Sequence, residues 1–498
     1  MITEAHWEKI GKFPHHGIAL PLFSLRSENS FGIGEFLDLI PLIDWCKEVG
    51  FDLIQLLPIN DSGSDPSPYN PLSSCALDPI YLTVRELGLK LPKVEKIEPR
   101  VVRSVVLKEK MELLLALFEK TFEKTSALEA YQSFLAAHPW LKVYSEFKSL
   151  KQQFSDKHWQ DWPKEEKADP HLCHFYTFLQ FHSFRQMEMV KDHAKAKGIK
   201  LKGDIPILLS PDSADVWGEP NLFDLTLSAG APPDYYQKEG QYWGFPLFQW
   251  EEMKKEGYKW WKIRLKTIEK LFDIYRIDHV VGFFRIWGIP RGETALKGGF
   301  IPKDQTLWET LGRERLELFV HASPLLPMAE DLGTIPDEVY PVLKELGICG
   351  TKVMRWEKTA KGYIPLNEYE PLSLTTLSSH DTDPFELWWK KAPGEVVSFA
   401  ELLHLTYHPV LSQNDRLTIL HGAHHTSSLF HINLLQEYLA LFPDLVALNP
   451  ENERINRPGT QLTTNWTYRF RPSVEEITSH SELKVLIRKI LSPNLIPL

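Results

Sequence analysis

The chain has 498 residues, 43% of them apolar and 24% charged, with a formal net charge of −10 at pH 7. That length exceeds one simple core and calls for several domains or one large elaborated fold. The acidic balance, without a cluster of Lys and Arg, argues against a nucleic-acid partner, and no apolar run is long enough to span a bilayer.

The N-terminal text MITEAHWEKIGKF lacks the basic-then-apolar pattern of a signal peptide. Cys46, Cys75, Cys173 and Cys349 show no C-x-x-C spacing. They read as reduced core thiols of a cytoplasmic protein, not as a disulfide or zinc frame.

Short apolar runs of strand type recur along the chain. They begin at Gly17 (GIALPLFSL), Phe51 (FDLIQLLPIN), Ile199 (IKLKGDIPILL), Ile274 (IYRIDH), Leu326 (LPMAEDLG), Thr351 (TKVMRW) and Leu374 (LTTLSSHDT). An eighth and weakest begins at Asp444 (DLVALN). Most are continuously apolar, as strands buried on both faces are. Amphipathic helical stretches separate several of them: 35–50, 174–198, 259–272 and 337–347, with Gly50, Gly198 and Gly347 as stop signals. Eight strands alternating with helices predict a single elaborated (β/α)8 TIM barrel over 1–498, in the α/β class. A doubly wound open sheet is the alternative, but no G-x-G-x-x-G follows a strand. The uneven spacing predicts a mainly helical insertion at 83–170, between strands 2 and 3, and an active-site loop insertion at 211–258.

Catalytic groups of such a barrel sit at the C-terminal ends of the strands. Four strand candidates end in a carboxylate: Asp204 (KGDIPI), Asp278 (RIDH), Glu330 (AEDLG) and Asp381 (SSHDT). Converging carboxylates suit glycoside chemistry, in which one protonates the leaving oxygen and another attacks or stabilises an oxocarbenium-like centre. Arg276 lies two residues before Asp278, on the same face of the strand. It is expected to hold Asp278 ionised. Taken alone, Arg276 and Asp278 also fit a structural ion pair.

The ordered set FGIGEF, LLPIND with SPYNPLSS, GDIPILLSPDSADVW, GAPPDYYQKEGQYWGFP, YRIDHVVGF, AEDLG, HDT and INRPGT with NW resembles the 4-α-glucanotransferases. These are the amylomaltases or disproportionating enzymes of glycoside hydrolase family 77. The resemblance runs across most of the chain. It implies retaining, two-step transfer of α-1,4-glucan segments from a glucan or maltooligosaccharide donor to glucose or a glucan acceptor. Asp278 then matches the nucleophile, Glu330 the general acid/base and Asp381 the third carboxylate. Arg276, His279 and His380 match groups around the cleavage subsite. Asp204, Asp331 and Asn456 match positions that touch substrate or brace the site. Ser67, Tyr69, Gln241 and Trp243 match loop residues lining the glucan groove. Transfer requires a sugar to outcompete water at the ester, and stacked aromatics in the loops with Tyr69, Tyr242 and Trp243 are expected to hold the acceptor and exclude water. No cofactor or metal is implied, and no long β-rich C-terminal region is expected.

The chain departs from the family's usual text in LSSHDTD, in WGFP with Phe245, in VVGF after RIDH, and in the loop from Arg291. These changes bear on donor length, acceptor choice and cyclisation. A retaining α-amylase-like hydrolase is the nearest alternative, since the same carboxylates serve both reactions. A non-catalytic glucan-binding barrel would be expected to lack one of them. The run HGAHH (His421, His424, His425) lacks the carboxylate or Cys company of a metal site, and His15–His16 reads as a solvated turn before the first strand.

Overall fold

The structure is a computed structural model and describes residues 1–90, 98–233 and 238–493. Eight parallel strands form its centre: β1 (His15–Leu20), β2 (Leu53–Leu56), β3 (Lys200–Ile205), β4 (Ile274–Ile277), β5 (Leu326–Ala329), β6 (Gly350–Val353), β7 (Ser373–Thr376) and β8 (Phe430–Leu434). Neighbours pair in the order β5-β4-β3-β2-β1-β8-β7-β6. The ring closes between β5 and β6 through a Met328–Cys349 bridge, where the Ala329 N–H donates to the Cys349 carbonyl at 2.7 Å. This is the (β/α)8 barrel expected from the alternation of strands and helices.

The apolar text of the strands is explained by this architecture. Helices cover the outside, so a strand is buried on both faces. All four residues of β4 and of β5 are buried. Register then sets which side chains line the interior. Gln55 pairs with Lys202, Asp204 with Arg276, and Arg276 with Met328. The period of two places Asp278 and Glu330 on the inward face just past β4 and β5.

The expected glycine stops are all present. Helix Leu39–Val49 ends at Gly50 (φ 100°), Pro170–Lys197 at Gly198 (φ 71°) and Val339–Leu346 at Gly347 (φ 75°). Only a residue without Cβ adopts this left-handed turn freely.

Two expectations fail at the N-terminal end of the barrel. The eighth strand is Phe430–Leu434, not the run from Asp444, which is turn and loop. The misreading has a physical origin. FHINL alternates: Phe430, Ile432 and Leu434 face the interior, while His431 and Asn433 face the helical layer and form hydrogen bonds there. His431 Nε2 meets Thr426 Oγ1 at 3.1 Å, and Asn433 accepts from the Leu377 N–H at 2.8 Å. His15 and His16 are not a solvated turn but the first residues of β1. His15 is buried and bonded to Asp52 at 2.6 Å, and His16 stacks on His431 with ring centroids 5.1 Å apart.

Within 83–170, helices Arg103–Ser126, Glu129–Ala137 and Trp140–Gln153 are described; residues 91–97 of that stretch lie outside the described residues. Buried cations fasten this layer to the loop after β2 and its surroundings. Lys110 reaches Glu35 at 2.5 Å with neither side chain exposed, Arg103 reaches Asp78 at 2.5 Å, and Lys148 reaches Asp61 at 2.9 Å. A second, antiparallel sheet joins Gly299–Ile301, Ile286–Pro290, Leu227–Ala231 and Gln241–Tyr242 in that order. At Gly230 a Cβ would lie 2.1 Å from the Gln241 carbonyl, so the close pairing of these strands requires glycine. Among the described residues nothing after β8 forms a strand, and no helix is long and apolar enough to cross a membrane.

Candidate active site

The charges that interrupt the β4 text converge on one guanidinium. Arg276, almost fully buried, directs Nη1 to both oxygens of Asp204 at 2.7 Å and to Asp278 Oδ1 at 3.1 Å. Its Nη2 lies 2.9 Å from Glu330 Oε2. The expected Arg276–Asp278 pair is therefore one arm of a cluster with three carboxylates. Asp204 takes the closest contacts. It also accepts from the Tyr69 hydroxyl at 2.7 Å, which makes it a brace within the cluster.

Asp278 and Glu330 keep about one-fifth of their side-chain surface open, 19% and 20%. They face the cleft while the groups beneath them are sealed. Asp278 Oδ2 accepts from the Ile207 N–H at 3.2 Å, and Glu330 Oε2 from the His279 N–H at 2.8 Å. His279 makes that contact from a left-handed backbone (φ 43°, ψ 56°), a conformation that costs a non-glycine residue roughly 1–3 kcal/mol and persists where surrounding contacts impose it.

Arg276 acts to hold Asp278 ionised, and burial acts against it. Burial, together with the neighbouring charges of Glu330 and Asp204, outweighs the guanidinium and raises Asp278 to about 8. Burial opposes ionisation of Glu330 too, but Arg276 and the His279 N–H overcome it and hold its pKa below the usual value. The two carboxyls titrate as a pair, and between those limits the pair carries one proton.

Asp381 lies five residues beyond β7. Burial is outweighed there by His380, whose Nε2 is 3.3 Å from Oδ2, and by Asn456, which donates to Oδ1 at 2.7 Å; the carboxyl falls to about 2. His380 is raised in turn: burial lowers it, but Asp381 prevails. Its ring stacks on Tyr69 at 5.1 Å, and Trp466 packs against both rings. Trp466 had no separate signal in the sequence beyond its place in the NW motif. Burial, then the Arg285 and Arg276 charges, lower His279 to about 4 despite Glu330, so its imidazole is neutral.

The remaining candidates divide. Trp243 meets the His279 ring edge-to-face at 5.0 Å, and Gln241 accepts from its indole N–H at 3.0 Å, so both stand at the cleft. Ser67 bonds within its own loop, accepting from the Tyr69 N–H at 3.3 Å, and positions that tyrosine. Asp331 points away from the cluster and accepts from the Thr351 N–H at 2.6 Å, an arrangement that locks β5 to β6. Of the motif GAPPDYYQKEGQYWGFP, residues 234–237 lie outside the described residues. Of the histidines of HGAHH, His424 packs against His16 of β1 and His431 of β8, His425 against His16, and His421 bonds the Ile490 carbonyl at 3.0 Å. Among the described residues no group of three or more His, Cys, Asp or Glu is arranged to hold a metal ion.

Carboxylates gathered on one guanidinium at the C-terminal mouth of a (β/α)8 barrel define an enzyme that acts on glycosidic bonds. The model of glycoside hydrolase family 77, described as 4-alpha-glucanotransferase, matches residues 20–475, and the chain belongs to that family. A 4-alpha-glucanotransferase of Chlamydia caviae is 43% identical, the match covering 98% of this chain and 96% of that protein. One of Chlamydia pneumoniae is 42% identical, over 98% and 97%. Among solved structures, the amylomaltase from Streptococcus agalactiae in complex with acarbose superposes with a TM-score of 0.83 at 23% identity, covering 96% of this chain and 99% of that one.

Proposed function

We propose that the chain transfers α-1,4-glucan segments between maltooligosaccharides, or to glucose, by a retaining double displacement through a glycosyl ester on Asp278. The observation that carries this reading is the single guanidinium of Arg276 joined to Asp204, Asp278 and Glu330 at neighbouring strand ends. One guanidinium bonded to both reacting carboxylates favours the short spacing of retaining enzymes over the wider spacing that leaves room for a water.

In the first half-reaction an Asp278 oxygen attacks the anomeric carbon. The bond to the leaving 4-oxygen breaks, and Glu330 gives that oxygen its proton. In the second, an acceptor 4-hydroxyl attacks the same carbon, Glu330 takes its proton, and the ester bond to Asp278 breaks. The pair needs one proton between its two carboxyls at the start, the number that the opposite shifts of Asp278 and Glu330 give it. That proton has to lie on Glu330 when the sugar arrives. The partial positive charge of the anomeric carbon over Asp278 favours this placement, increasingly as the transition state is approached, since it stabilises the nearer negative charge.

Asp381, ionised down to about pH 2, accepts from sugar hydroxyls, and His380 and the neutral His279 bond the sugar in the cleavage subsite. Trp243, with Tyr69 and Tyr242, holds the acceptor and keeps water from the ester. Asp204 and Asp331 brace the site rather than touch substrate. We also place this turnover, of glycogen or maltodextrin, in the cytoplasm.

The test is a product ladder. Maltotriose or maltopentaose alone should yield products both longer and shorter than the substrate, and Asp278→Asn should abolish them. Products that are only shorter would mean hydrolysis and overturn the transfer reading.

A further inference from the structure

Beneath the carboxylate cluster the barrel holds a cation that the mechanism above does not use. Lys202 is on β3, two residues before Asp204, and the strand's period of two turns both side chains inward, one layer apart. Lys202 is 2% exposed. Its ammonium donates to Gln55 Oε1 at 2.9 Å, from the adjacent position on β2. Among the described residues it forms no ion pair. A buried ammonium without a carboxylate partner is costly, and a methionine of similar length would fill the same space without that cost.

The place explains the charge. Lys202 lines a cavity of about 50 Å³ in the barrel interior, together with Arg276, Glu330, Thr351, Thr376, Ser378 and other side chains. The charged and titratable groups around it come from every side: Asp204 on its own strand, Arg276 on β4, Glu330 after β5, Cys349 before β6 and His380 after β7. Two act on it most: Arg276 opposes its charge and Asp204 supports it.

We propose that Lys202 is a positioning residue for the reaction: its ammonium adds a second positive charge beneath Arg276 and so keeps the Asp278–Glu330 pair from taking up a second proton. This rests on the reading that the pair acts with one proton. Burial, followed by Arg276, lowers Lys202 to about 7. Its charge is therefore present on the acidic side of the working range and largely gone on the alkaline side. Removing it affects one limb of a pH profile and spares the other, whereas loss of packing lowers activity at every pH alike.

The experiment is the pH dependence of kcat/KM for maltotriose disproportionation between pH 4 and 9, with thermal melting as a check on folding. Lys202→Met is expected to move the acid limb up by about one pH unit, the effect of one uncompensated charge at short range in a partly polarisable interior. The alkaline limb should stay where it is. Lys202→Gln removes the charge but keeps a polar partner for Gln55, and should move the acid limb by about the same amount. It serves as the test if Lys202→Met fails to fold. A variant profile parallel to that of the unaltered protein, or coincident with it, would overturn the proposal. Absence of products longer than the substrate from the unaltered protein would instead overturn the transfer reading itself.

Discussion

Replacing Arg276 with Lys preserves charge and removes geometry. The guanidinium serves Asp204 and Asp278 through Nη1 and Glu330 through Nη2. A lysine has one ammonium and no rigid fork. Asp204, at 2.7 Å and with no exposed side-chain surface, is the partner it would keep. The contacts at 3.1 Å to Asp278 and 2.9 Å to Glu330 would go. A hydrogen bond to a charged group contributes about 1.5–3 kcal/mol, so losing two costs roughly 3–6 kcal/mol. At about 1.36 kcal/mol per tenfold in rate, kcat/KM for maltotriose should fall roughly a hundred- to ten-thousand-fold. Initial rates from separated products, with thermal melting in parallel, make the measurement. A variant that melts like the parent and works within threefold of it would refute the claim that the fork organises the pair.

The pair's single proton predicts a broad bell in kcat/KM against pH. The alkaline limb should fall near pH 8, where Asp278's raised pKa releases the shared proton, and the acid limb should lie below the usual glutamate range because Glu330 is lowered. Acid should also weaken the fold through the histidines between β1, β8 and helix Gln413–His424. His16 Nδ1 faces His424 Nδ1 at 2.9 Å, so only one of the two can carry a proton there. Burial lowers His16 to about 4 and His431 to about 3, and Asp52 is the carboxylate that opposes this at His16. Their unfolded value is near 6.5, so the unfolded chain binds more protons below it. Stability is then full above pH 6.5 and lost progressively toward pH 4; melting temperature against pH reads it, and His431→Phe should flatten the slope. Lys110→Met should destabilise the protein by about 3–5 kcal/mol, because it leaves Glu35 buried without its partner; an unchanged urea midpoint would contradict the anchoring role of that pair. Trp243→Ala should raise the ratio of hydrolysis to transfer, read as free glucose released per longer product formed.

Seven of the eight strands and the three glycine-stopped helices were legible in the sequence because burial on both faces and helical periodicity leave direct traces. β8 was hidden because its outward His431 and Asn433 are buried polar groups that bond to Thr426, Tyr438 and Leu377, which one-dimensional text renders as polar. The site was legible as a set of strand ends. Its internal bonding was not. The Arg276–Asp278 spacing suggested a pair, but Asp204 and Glu330, 72 and 54 residues from Arg276, share the same guanidinium only because neighbouring strands bring them together. Asp331 follows Glu330 directly, and that alternation is what turns it toward Thr351 and away from the cleft. Nothing in the run IKLKGDIPILL distinguishes Lys202 from Lys200; only the barrel register shows that Lys202 lies inside.

The central claim, that Asp278 becomes the glycosyl ester, is tested most directly by trapping. A Glu330→Gln variant given α-maltosyl fluoride needs no acid to expel fluoride, so the first step proceeds, while the missing base stalls the second. Intact-mass and peptide mass spectrometry should find a maltosyl adduct on the peptide holding Asp278, and none when Asp278→Asn is added. An adduct on another carboxylate, or turnover without any adduct and with inverted anomeric configuration, would contradict the account.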